Sequence, residues 1–261
     1  MITLLVFVVL CGGGISLSLY VYRTFTQSVT SGTIGLIPTF GTTQQTGPTS
    51  VPVGVGIHPI IVINRNAGSV HVDATSTNNM VIIQPAQQSS PLGNGPIPYS
   101  RGSDGKTITF DLSNFEADDI ELMVPRLSDL NITTNGDDIT VDGVSGQITL
   151  KSNAGTLTAT HVSLSGQSTL KTNGGNITFS GSLDPGGTYL FDSNGGSIVL
   201  TLPHNAAFHV DATTNGGSVR SDFPQVTVSG TGDEAHGDVG KGPRAQVTVS
   251  NNGGSITLHK S

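Results

Sequence analysis

The sequence predicts an all-β protein, a β-solenoid of about 18–21-residue coils with Asn-Gly corners, preceded by one N-terminal transmembrane helix. Three observations carry the solenoid. An Asn-centred corner recurs as Asn66-Ala67-Gly68, Asn135-Gly136-Asp137, Asn153-Ala154-Gly155, Asn173-Gly174-Gly175, Asn194-Gly195-Gly196, Asn215-Gly216-Gly217 and Asn252-Gly253-Gly254. From Asn135 onward the steps between corners are 18, 20, 21, 21 and 37 residues, and self-similarity at a period near twenty marks a repeat architecture. Apolar columns flank every corner: three residues before the Asn stand Ile63, Ile132, Leu150, Leu170, Phe191, Ala212 and Val249, and four after it Val70, Ile139, Leu157, Ile177, Ile198, Val219 and Ile256. With Thr, Ser, Lys, Asp and Asn between them, these columns have the period-two alternation of strands with one buried face.

The third observation concerns how the strands are joined. Asn-Gly between alternating strands is the strongest short hairpin signal, so an antiparallel β-meander or sandwich is the alternative. Gly, however, also stands two places after the Asn in six of the seven corners. In a two-residue hairpin that place is already strand, where Gly weakens pairing. In a solenoid it belongs to a wider corner with φ > 0, which Gly adopts freely and Asn tolerates. The Asn side chains of successive coils then stack in a ladder, as in cross-β assemblies.

In chain order, residues 1–22 carry no charge and end at Arg23. As a helix they span about 33 Å, enough for a hydrocarbon core of about 30 Å. Residues 1–23 therefore read as a membrane anchor, with a cleaved signal peptide as the rival; that rival lacks its basic n-region. Arg23 alone does not fix the orientation. The single cysteine, Cys11, lies in this stretch and excludes any disulfide within the chain. A lipid-anchoring cysteine wants a small residue before it, and Leu10 is not small.

Residues 24–58, rich in Thr, Ser, Gly, Gln and Pro, read as an extended spacer. The β domain is expected over residues 59–261. Its first strands are Ile60-Ile61-Val62-Ile63, Ser69-Val70-His71-Val72 and Met80-Val81-Ile82-Ile83. A long loop is predicted over 84–105, then strands at Thr107-Ile108-Thr109-Phe110 and Ile120-Glu121-Leu122-Met123-Val124. Coils run regularly over 127–221. The long last step leaves an excess of residues, placed at 229–244, and the terminal strand 255–259 closes the domain.

The run Ile120-Glu121-Leu122-Met123-Val124-Pro125, the repeated Asn-Gly-Gly units and the terminal Ser250-Asn251-Asn252-Gly253-Gly254-Ser255-Ile256-Thr257-Leu258 resemble the bacterial adhesin-like domain family DUF4097, of unknown function. The resemblance covers about residues 60–261. It implies a β-helix-like domain exposed outside the cytoplasmic membrane, often tethered by a transmembrane helix, and it brings no catalytic residues.

Composition narrows the function. Charged residues are 11% of the chain, about half the usual quarter, and the net charge of −7 argues against nucleic-acid binding, which needs Lys and Arg to neutralise phosphate. His58, His71, His161, His204, His209, His236 and His259 are scattered, without finger-like or helical metal spacing. Asp137, Asp138 and Asp142 cluster at one corner, with Glu116, Asp118, Asp119 and Glu121 a coil earlier. Carboxylates suit Ca²⁺, yet neither a calcium β-roll nonapeptide nor an EF-hand loop is present, and solvated acids that discourage edge pairing are the plainer reading. Lys151 and Lys171 occupy matching places, where Asp192 then breaks the column. No nucleophile elbow is present.

No catalytic, cofactor-binding or metal-binding residue is therefore assigned. The expected protein is a non-enzymatic, membrane-anchored, extracytoplasmic surface protein, adhesin-like or structural. Its expected partners are the membrane, through the N-terminal helix, and a cell-surface glycan, a protein or copies of itself. The alternatives are an envelope-stress sensing module acting with a membrane partner, and a glycan-active β-helix enzyme.

Overall fold

The computed structural model describes residues 51–76, 79–86, 97–113 and 119–261, as strands joined by turns and bends without a helix. The predicted membrane anchor over residues 1–23 and the spacer up to residue 50 lie outside the described residues. Among those described, no helix is long and apolar enough to cross a membrane.

Two sheets of eleven strands face one another. Each coil contributes one strand to each sheet, with its Asn corner between them. The coil at Asn173, for example, runs Gln167–Thr172, corner, Ile177–Leu183. Neighbouring coils pair in parallel, which rules out the meander. In one sheet the plus-four column stacks as Ile120, Val70, Ile139, Leu157, Ile177, Ile198, Ile256 and Val219. In the other the minus-three column stacks as Phe110, Ile63, Ile132, Leu150, Leu170, Phe191, Val249 and Ala212. All sixteen are buried, so the apolar columns read from the sequence form one continuous core between the sheets.

Within that core, large and small side chains alternate from coil to coil. Phe179 lies beside Ala159 in register and meets Phe191 edge-on at 5.3 Å. Tyr189 lies beside Ser168 and is fully buried. Its hydroxyl donates to the carbonyls of Leu164, at 2.9 Å, and Asp184, at 3.0 Å, and burial pushes its pKa up to about 12.

The order of coils in space departs from their order in sequence at both ends. The C-terminal coil, Ala245–Asn251 and Ile256–Lys260, does not close the stack as expected. It enters between the Asn194 coil and the Asn215 coil, parallel to both. At the other end the Asn66 coil lies between the Asn135 coil and the strands Thr107–Leu112 and Ile120–Pro125. Parallel pairing needs only matched columns, and every coil presents the same columns, so the repeat itself does not dictate the order.

Antiparallel strands close the stack. Met80–Pro85 and then Val51–Gly54 cover one sheet at the first end, and Tyr99–Arg101 covers the other. Glu234–Val239 and Val226–Val228 cover the last end. These strands correct three expectations. The sheet begins at Val51 rather than near Pro59; the edge strand contains Pro52 and buries only Val53 on the core, which is too little to show a period. The predicted loop over 84–105 contains Tyr99–Arg101, whose three side chains are all exposed, so no alternation betrays it. The excess at 229–244 is a cap that buries Ala235 and Val239. Antiparallel ends break the repeat and discourage further coils from adding.

Candidate functional site

The corners form one long edge of the molecule. Along it runs an unbroken ladder of side-chain amides. Asn66 Nδ2 donates to the Ser113 carbonyl at 2.8 Å, Asn135 to Asn66 at 2.9 Å, Asn153 to Asn135 at 3.0 Å and Asn173 to Asn153 at 3.1 Å. Asn194 donates to Asn173 at 3.0 Å, Asn252 to Asn194 at 2.8 Å and Asn215 to Asn252 at 2.7 Å. Every amide donates in the same direction, so the ladder has a donor end and an acceptor end.

A second, buried ladder lies just inside. The residue before each Asn is Thr134, Ser152, Thr172, Ser193, Asn251 or Thr214, all nearly inaccessible. The Thr172 hydroxyl accepts from the Gly175 N–H at 3.2 Å and donates to the Gly155 carbonyl of the adjoining coil at 2.8 Å. Ser193 repeats this with Gly196 and Gly175. Asn251 replaces the hydroxyl in its coil, accepting from Gly253 and Gly254 and donating to Gly196. At Asn66 the place is taken by Arg65, whose Nε donates to the Ala67 carbonyl. Buried polar groups are thus satisfied from coil to coil.

This arrangement explains the glycine two places after Asn, and corrects the reason expected for it. Among the seven corners only Gly68 has a positive φ, 89°. The others are glycine because coils crowd there: a methyl group on Gly175 would lie 2.1 Å from the Gly155 carbonyl oxygen, and one on Gly196 2.1 Å from that of Gly175. At the exception, Asp137, the carboxylate instead accepts from the Gly68 N–H at 2.7 Å.

The outward faces are rows of short polar side chains. Thr140, Thr158, Thr178, Val199 and Thr257 align on one sheet beside Asp142, Thr160, Ser180, Thr201 and His259. Asn131, Thr149, Thr169, Leu190 and Thr248 align on the other beside Thr133, Lys151, Lys171, Asp192 and Ser250. Lys171 reaches Asp192 at 2.5 Å, so the column break at Asp192 is an ion pair. A shallow groove of about 180 Å³ follows the ladder there, lined by Thr133, Asn135, Lys151, Asn153, Lys171 and Asn173 among others.

Asp137, Asp138 and Asp142 do not converge as a Ca²⁺ cradle. Asp137 is engaged with Gly68; Asp138 accepts from the Thr156 N–H at 2.7 Å; Asp142 accepts from the Thr160 hydroxyl at 2.6 Å and pairs with His161 Nδ1 at 2.7 Å. Those last two bonds hold the Asp142 carboxyl below its ordinary value. Among the described residues no group of three His, Cys, Asp or Glu is placed to hold a metal ion.

Aspartate partners for the histidines escaped the sequence reading. His58 pairs with Asp129 at 3.0 Å, His71 with Asp73 at 3.1 Å and His259 with Asp222 at 2.9 Å. His209 bridges Asp238 at 2.8 Å and Asp211 at 3.1 Å. The hydrogen bond from Asp238 raises the His209 pKa above its usual value, against a small opposing effect of burial, and lowers that of Asp238. Two pairs were readable as His-x-Asp on a strand, which puts both side chains on one face: His71 with Asp73, and His209 with Asp211. His161, the extra residue of a bulge, has φ 53°, a costly conformation for a residue with a side chain.

No curated protein matches the chain. A candidate cell adhesion protein from Clostridium sporogenes has 11% identity and a TM-score of 0.49, covering 81% of this chain and 99% of that one. A candidate adhesin from Bacteroides fragilis has 14% identity and a TM-score of 0.38, covering 80% of this chain and 95% of that one. The model of the family described as Toastrack DUF4097 matches residues 61–259, and the chain belongs to that family.

Proposed function

We propose that this chain is a non-catalytic surface protein, held outside the cell by its N-terminal apolar segment, whose strand faces and corner groove contact wall glycan. The observation that supports this most directly is the alignment of outward polar rows in parallel register. Parallel strands repeat about every 4.8 Å, so hydroxyl, amide and ammonium groups recur at fixed intervals along both faces. Such a face matches an extended polymer that offers hydroxyl and amide groups in a row. The groove beside Lys151 and Lys171 adds cationic donors to the amide ladder. Its rigid walls need little ordering on binding, which lowers the cost of a weak, repeated contact.

Protease treatment of intact cells tests the location. Loss of the β domain before lysis is expected; survival until lysis overturns the surface assignment. Co-sedimentation of the purified chain with insoluble wall glycan tests the contact. Retention that falls with Lys151→Ala and Lys171→Ala together is expected. Absence of retention for the wild-type chain overturns the glycan reading, and a stoichiometric membrane protein recovered by crosslinking then favours a sensing role.

A further inference from the structure

Five ladder asparagines precede glycine: Asn135, Asn173, Asn194, Asn215 and Asn252. In such a pair the glycine nitrogen, unhindered by a Cβ on its own residue, can attack the side-chain amide carbon. The nitrogen lone pair forms the new C–N bond, its proton is lost to water, and the amide leaves as ammonia. The resulting succinimide is opened by water at either carbonyl, giving aspartate or isoaspartate. The attack requires the asparagine side chain to leave its rotamer, and the ladder holds that rotamer.

The hold is not equal along the ladder. Asn135, Asn173, Asn194 and Asn252 each donate to one neighbour and accept from another. At Asn252 the attacking nitrogen is itself engaged, because the Gly253 N–H donates to Asn251 Oδ1 at 3.0 Å. Asn215 is the acceptor end. It donates to Asn252, and its own Oδ1 accepts nothing among the described residues. The loop bonds flanking this corner reach Thr214 and Val219, leaving Asn215, Gly216 and Gly217 exposed.

We propose that Asn215 is a site of self-catalysed deamidation, and that the ladder protects the other four. Breaking one neutral hydrogen bond fewer corresponds to about fivefold in rate. The product disturbs more than one rung. A carboxylate at 215 faces the Asn252 carbonyl oxygen, and flipping Asn252 to donate to it sets Asn252 against Asn194. Reversing the whole ladder ends with Asn66 Oδ1 against the Ser113 carbonyl. The one-way polarity leaves no arrangement without an opposed pair of oxygens, so the modification marks and loosens the last coil.

The test is to age the folded, full chain in mildly alkaline buffer and map conversion by the amide-to-acid mass shift in its peptides. The same chain aged in denaturant serves as reference, where the five sites are expected to convert at similar rates. In the folded chain, Asn215 is expected to convert at least about fivefold faster than any of the other four. If any of them keeps pace with Asn215, the proposal is overturned. Asn194→Ala removes the donor to Asn173 and should raise conversion at Asn173. A folded Asn194→Ala chain in which Asn173 stays as slow as in the wild type shows that the ladder is not the protecting element.

Discussion

Asn252 donates its side-chain amide to Asn194 at 2.8 Å across 58 residues of sequence. Asn215, earlier in the chain, donates in turn to Asn252 at 2.7 Å. The last coil is therefore an interior rung, buried on both sides, and the stack has no chain terminus at this end to fray. Val247, Val249, Ile256 and Leu258 all face the core from this coil.

Deleting residues 245–261 should consequently unfold more than an end coil. Four buried aliphatic side chains at about 1.5–3 kcal/mol each amount to about 6–12 kcal/mol, the scale of a whole domain's stability. The Asn215 coil also loses its only parallel neighbour. Protease digestion of the truncated chain should cut freely after the Asn194 coil; a resistant Asn215 coil would contradict the inserted order.

Gly174 and Gly175 are adjacent in sequence and should respond oppositely to alanine. A methyl group on Gly174 has its nearest neighbour at 3.5 Å, ordinary contact, and Ala154 already fills the matching place one coil away. On Gly175 it would lie 2.1 Å from the Gly155 carbonyl oxygen, and such overpacking costs about 1–3 kcal/mol. Gly174→Ala should leave the melting temperature nearly unchanged while Gly175→Ala lowers it clearly. Equal effects would mean that glycine is present for the turn and not for the close approach.

Ile177 stands at the middle of the eight-residue inner row, between Leu157 and Ile198. Ile177→Ala should cost about 2–5 kcal/mol through the cavity it leaves. Ile177→Asp buries a carboxylate among aliphatic side chains and should abolish cooperative unfolding near the wild-type temperature. Thermal melts followed by circular dichroism distinguish the three chains. A wild-type melting temperature for Ile177→Asp would remove this residue from the core.

The parts of this fold that were legible in the sequence are those that repeat. Ile63, Leu170 and Leu157 fall into buried columns because each coil must turn the same faces inward, and a stack forces Asn66, Asn173 and Asn215 into one line. What repeats cannot carry is order. Ile256 fits beside Ile198 as well as Val219 does, and only the whole set of caps and connections places it between them. His259 therefore reaches Asp222, a partner that depends on the inserted coil. Caps were equally hidden: Val51–Gly54 buries Val53 alone on the core, and Tyr99–Arg101 exposes all three side chains. Counting glycines located the corners but misjudged their purpose, since φ is positive at Gly68 only, whereas carbonyl crowding at Gly155, Gly175 and Gly196 is a property of the neighbouring coil.

The histidine–aspartate pairs give stability a definite pH dependence. Hydrogen bonding to Asp238, with Asp211 beyond it, raises the His209 pKa above 6.5. Its contribution is complete below 6.5 and fades as the pH climbs through the raised value. Asp222, Asp238 and Asp142 are held below 3.8, the first two chiefly by His259 and His209 and the last by the Thr160 hydroxyl. Their contributions are complete above 3.8 and fade as the pH falls through the lowered values. The melting temperature should therefore peak between 3.8 and 6.5 and decline on either side, modestly because these groups face solvent. His209→Gln should flatten the decline across neutrality while leaving the acid limb in place. An unchanged slope across neutrality in that variant would show that His209 does not couple protonation to the cap formed by Glu234–Val239.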